Sequence, residues 1–107
     1  MAKRVVPSAF PAPFVATPAQ FGAAVRAART ASGMTLEETA LALGVAKQTL
    51  QSLERGTSSV GLALALRVAH ALGVAVLVAP ASRRRALENL VRSQTQAGSG
   101  DGGAERS

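Results

Sequence analysis

Within the stretch TLEETALALGVAKQTLQSLERG, from Thr35 to Gly56, four polar side chains are spaced so as to share one side of a short helix. They are Lys47, Gln48, Gln51 and Ser52, and the apolar Leu50 and Leu53 among them claim the other side for a core. An ammonium and two carboxamides displayed in this way suit one kind of chemistry. They can hydrogen-bond guanine and adenine edges in the major groove of duplex DNA. Catalytic chemistry has no comparable set. The chain has no cysteine and a single histidine, His70, for which no nucleophile or carboxylate partner can be assigned. No phosphate-cradling glycine loop follows a strand. An enzyme is not expected, nor are a metal site and a cofactor.

The elements that must hold these side chains follow from caps and periodicity. Thr17-Pro18-Ala19-Gln20 combines an N-cap, a first-turn proline and a capping-box glutamine, and Phe21, Ala24, Val25 and Ala28 recur at helical spacing up to Gly33. Thr35 and Glu38 form a second capping box, opening a short helix through Leu43. Gly44 turns the chain into a third helix, from about Ala46 to Glu54. A fourth runs from about Gly61 to Leu72 and stops at Gly73. Two short helices joined through a glycine corner are what a helix-turn-helix requires, with small Ala40 where they approach and Leu43, Val45, Leu50 and Leu53 inside.

Beyond Gly73 the pattern changes. Val74 to Ala79 contains no polar residue and lies between Gly73 and Pro80, so a strand is expected there. A lone strand leaves its backbone groups unpaired, and neither of its faces suits water. Pairing with the same strand of a second copy, through Val74, Val76, Leu77 and Val78, answers both problems. The expected fold is therefore all-α, four to five short helices, with one C-terminal strand completing a dimer.

Domain limits follow: a disordered Pro/Ala-rich arm at 1–16, a domain at 17–80, and a basic then Gly/Ser-rich flexible tail at 81–107. Arg83 to about Gln94 has the pattern of one more short helix, with disorder expected from Ala97. The chain carries 12 Lys and Arg against 6 Asp and Glu, a formal charge of +6, which favours polyanionic partners. Only five of the basic residues (Arg26, Arg29, Lys47, Arg55, Arg67) lie between Thr17 and Pro80, against three acidic ones, so the ends can act as electrostatic arms. The apolar run from Gly61 to Pro80 approaches the length of a membrane span, but Arg67 near its middle costs roughly 2.5–3.5 kcal/mol in a bilayer. A cytoplasmic, nucleoid-associated protein is expected, the lack of cysteine suiting a reducing compartment.

Phe21 to Leu72 resembles the XRE family, the Cro/cI-type helix-turn-helix domains. The family pattern G-x-T-x-E-E-x-A stands here at Gly33 to Ala40, and G-V-x-x-x-T-L-x-x-L-E-R-G at Gly44 to Gly56. The run from Thr57 through VGLALALRVAHALGV to the following apolar segment is similar to HipB-like antitoxins. The resemblance implies base contacts from Lys47, Gln48 and Gln51. It also implies DNA backbone contacts from Thr35, Thr49 and Ser52, and a structural ion pair between Arg29 and Glu54. Arg55 can contact phosphate or cap helix-end carbonyls. Three positions depart from the family: Leu36 stands in place of a backbone-contacting Gln, Thr39 where Leu is usual, and Ala46 where Ser or Thr caps the recognition helix. The function implied is a sequence-specific repressor of operator DNA acting as a homodimer, and more narrowly the antitoxin of a HipA-like kinase toxin. A stand-alone regulator of the same family and a protein-interaction module that no longer binds DNA remain alternatives.

Overall fold

The computed structural model describes the backbone of residues 4–100 and the side chains of residues 4–93. Residues 4–76 belong to one compact unit, and 77 onward to a second. The first contains α1 (Pro18–Ala31), α2 (Leu36–Leu43), α3 (Lys47–Arg55) and α4 (Leu62–Ala71). Both expected capping boxes form. The Thr17 hydroxyl accepts from the Gln20 N–H, and the Thr35 hydroxyl from the Glu38 N–H, each reciprocated by the third-position side chain. Ala46 caps α3 with no side-chain hydrogen bond, the weaker start that its methyl group dictates.

The four helices close alike. In each, a glycine at positive φ follows the last turn (Gly33, Gly44, Gly56, Gly73). The residue after it then donates five positions back, as Val45 N–H does to the Ala40 carbonyl. Only Gly44, Val45 and Ala46 separate α2 from α3, so the corner is as tight as the sequence required. A small core of Val25, Ala40, Leu50, Leu53, Ala65, Val68 and Ala69 joins all four helices, flanked by half-buried Phe21, Leu36, Leu43, Val45, Leu64 and Leu72. Arg67 of α4 donates from Nη1 to the Leu43 carbonyl at 3.0 Å, satisfying an end-of-helix acceptor on α2.

Close approach sets the angle between α1 and α3. A side chain at Gly22 would collide with the Leu53 and Glu54 carbonyls in the last turn of α3. One at Gly56 would come within 2.5 Å of the Ala19 nitrogen. Two glycines thus let the backbones of α1 and α3 touch.

Residues 4–16, the stretch expected to be a disordered arm, form no helix or strand, and one hydrogen bond ties them to α1. The Ser8 N–H donates to the buried Thr30 hydroxyl at 2.9 Å. Val5, Ser8, Pro11 and Phe14 are each half-buried while the residues between them are exposed. That three-residue period is the repeat of polyproline II, a conformation favoured by the four prolines between Pro7 and Pro18.

The expected strand is absent among the described residues. Val74 is half-buried and donates to the Ala69 carbonyl at 2.8 Å, closing α4 rather than entering a ladder. Val76, Leu77 and Val78 are 48%, 73% and 93% exposed. The physical reason is simple: a strand is defined by its neighbour, and the single chain supplies none.

The second unit holds a 3-10 turn at Ala81–Arg83 and α5 at Arg84–Gly100. The described helix takes in the first residues of the stretch from Ala97. The remainder of that expected tail, residues 101–107, lies outside the described residues. No helix among the described residues is long and apolar enough to cross a membrane.

Candidate nucleic-acid interface

Helix α3 buries Leu50, Leu53 and Glu54 and turns its other sides outward. Lys47 and Gln48, in its first turn, are exposed, and so is Arg55 in its last. Thr49, Gln51 and Ser52 are half-buried. Helical spacing puts Gln48, Ser52 and Arg55 in one row (i, i+4, i+7), away from the buried row. Gln51 stands to the side of that row, against the junction with α1 and α2. The sequence reading grouped Gln51 with Lys47 and Gln48, and the structure separates it from Gln48 by its burial.

Lys47 is not free. Its Nζ lies 3.1 Å from Glu37 Oε2 of α2, with both side chains about half exposed. A pair this exposed contributes about 0–1 kcal/mol, so a phosphate or a base edge can displace it at small cost. The Thr35 hydroxyl accepts from Glu38 as a cap, which leaves its own proton for another acceptor.

Arg29 and Glu54 meet in the interior, joining α1 to the end of α3. Nε donates to Oε2 at 2.6 Å and Nη2 to Oε1 at 3.0 Å, with side-chain exposures of 8% and 5%. The third arm, Nη1, donates to the Met34 carbonyl at 2.7 Å and secures the α1–α2 corner. Planar guanidinium against carboxylate is the geometry that makes such a pair strong and orientation-specific. It fixes the pitch of α3 on the domain, and hence where Gln48 and Lys47 point.

Beside this pair lies a notch of about 140 Å³, lined by Arg26, Arg29, Leu36, Gln51, Glu54 and Arg55. Residue-type reasoning missed Arg26, because an arginine on the exposed side of an amphipathic helix carries no local signal. It also missed Gly22, although a glycine inside a helix costs about 1 kcal/mol and so points to a packing reason.

The family model described as Helix-turn-helix matches residues 25–77, about half of the chain. The matched segment takes in the second half of α1, all of α2, α3 and α4, and the start of the exposed apolar segment. No curated protein and no solved structure matches the chain. With the second capping box, the glycine corner and the Arg29–Glu54 link in place, residues 25–77 are similar to helix-turn-helix domains of the XRE type, a family of DNA-binding domains.

Proposed function

We propose that this chain is a sequence-specific transcriptional repressor that binds operator DNA as a homodimer through α3. The observation that carries the reading is the exposed first turn of α3, where Gln48 and the loosely held Lys47 stand on a helix locked to the domain by a buried ion pair. Lys47, Gln48 and Gln51 read bases, while Thr35, Thr49, Ser52 and Arg55 engage the backbone. Two copies related by a two-fold axis place their α3 helices about one helical turn of DNA apart, ~34 Å. The basic residues of the ends add affinity without sequence preference.

The dimer forms through the segment Val74 to Ala79, whose exposed Val76, Leu77 and Val78 have no ladder within one chain. The narrower role, antitoxin to a HipA-like kinase, is supported by the resemblance of residues 57–79 to HipB-like antitoxins. A toxin gene directly beside this one would separate that role from a stand-alone regulator.

Fluorescence anisotropy with the gene's own upstream region and with random duplex tests the central reading. Gln48→Ala is expected to weaken the cognate complex by roughly 1–3 kcal/mol and to relax specificity at one position. Equal losses on both duplexes would exclude a base-reading role. The absence of binding to either would favour a protein-interaction module.

A further inference from the structure

We infer that the notch at the α1–α2–α3 junction is a phosphate-binding site formed by Arg26 and Arg55 together, seating one DNA backbone phosphate beside the recognition helix. This rests on the DNA-binding reading above and names a contact within it.

The charge arrangement is the first argument. Three guanidinium groups and one carboxylate line the notch. Both Glu54 oxygens accept from Arg29, and the one remaining Arg29 contact goes to the Met34 carbonyl. That pair is neutral and satisfied. Arg26 and Arg55 are different: both are exposed, and among the described residues neither guanidinium group has a hydrogen bond or an ion pair. Two exposed guanidinium groups lining one notch from α1 and α3 suit an anion, and their forks match tetrahedral oxyanions.

Size and neighbours agree. A space of about 140 Å³ far exceeds the ~10–15 Å³ that one water requires and accommodates a phosphate group. Leu36, at the start of α2, lines the same notch. Leu36 itself offers no polar atom from its side chain, so any grip on an anion here falls to Arg26 and Arg55. Gln51, half-buried on the α3 wall, supplies a carboxamide donor.

The test uses the full chain and a mixed-sequence 20-bp duplex, with affinity measured across a salt series. Each phosphate contact contributes about 0.9 to the slope of log affinity against log salt. Arg26→Gln and Arg55→Gln are each expected to make the slope shallower by about 0.9. Because they share one phosphate, the double variant is expected to lose no more than either single. An unchanged slope in Arg26→Gln would overturn the site, and so would a double variant losing about 1.8, the mark of two separate contacts. If the parent chain binds no duplex, the DNA reading fails first. A titration with inorganic phosphate, followed at the arginine side-chain Nε resonances, then decides. Shifts confined to Arg26 and Arg55 keep the notch as a free oxyanion site, and their absence removes it.

Discussion

The α1–α3 junction and the segment from Val74 to Val78 are built from similarly ordinary residues and reach opposite states. At the junction, Gly22 and Gly56 bring the backbones into contact and a bidentate ion pair is sealed with every nitrogen of Arg29 directed to an acceptor. In the segment, three large apolar side chains in succession face solvent. Neighbouring apolar exposure of that kind marks a contact surface in a soluble domain. The junction is complete within one chain, while the segment leaves its apolar side chains uncovered. What positions α3 is thus internal to one chain, and the proposed dimer would draw on the exposed segment instead.

The sharpest way to break this comparison is Glu54→Gln. With both partners nearly buried, it leaves the Arg29 charge without its counter-ion, at a cost on the order of 3–5 kcal/mol. A loss of that size takes most of the stability of a small domain, and thermal melts should show it directly. A variant melting like the parent would mean that the junction is no more self-sufficient than the apolar segment.

The opposite region is tested by Val76→Lys combined with Val78→Lys. Because both positions are solvent-exposed in one chain, folding of the monomer is expected to survive. Light scattering should report a monomer, with operator affinity reduced at least a hundredfold, about 2.7 kcal/mol. A double variant that stays dimeric places the interface elsewhere.

Gly22→Ala returns to the junction with a smaller effect. Alanine gains about 1 kcal/mol of helix propensity, but its methyl group meets the Leu53 and Glu54 carbonyls, and backbone cannot step aside as a side chain can. A net loss of about 2 kcal/mol is expected, and a stabilised variant would show that α1 and α3 are not held in contact.

The same contrast explains what the sequence makes legible. Helix ends are written locally, so Thr17, Gln20, Thr35, Glu38 and the stopping glycines place α1 to α4 within a residue or so of where they lie. Arg29 and Glu54 are 25 positions apart, and nothing local joins them; the family resemblance paired them. In the Pro-rich arm, composition reports flexibility and says nothing of contacts. Its three-residue burial period becomes meaningful only once Thr30 is known to receive Ser8. The segment after Gly73 was read as a strand from its β-branched content, a property that is realised only beside another strand. Arg26 and the notch stayed invisible because they arise where three helices meet.

The junction side is not optimised throughout, and Thr39 of α2 shows it with the smallest expected effect. Thr39 is fully buried, and its hydroxyl has no hydrogen-bond partner. A buried hydroxyl without a partner costs about 1–3 kcal/mol of desolvation that nothing returns. Valine keeps the branching and nearly the same shape while removing the orphaned oxygen, whereas leucine adds a methylene to a site with no room to spare. Thr39→Val is therefore expected to stabilise the domain by about 1 kcal/mol, raising Tm by roughly 4–8 °C for a domain of this size. Anisotropy with DNA should not change, since the residue contacts neither α3's exposed row nor solvent. A melting temperature equal to or below the parent's would show that the hydroxyl has a partner after all, and that the core around α2 is as fully satisfied as the Arg29–Glu54 link.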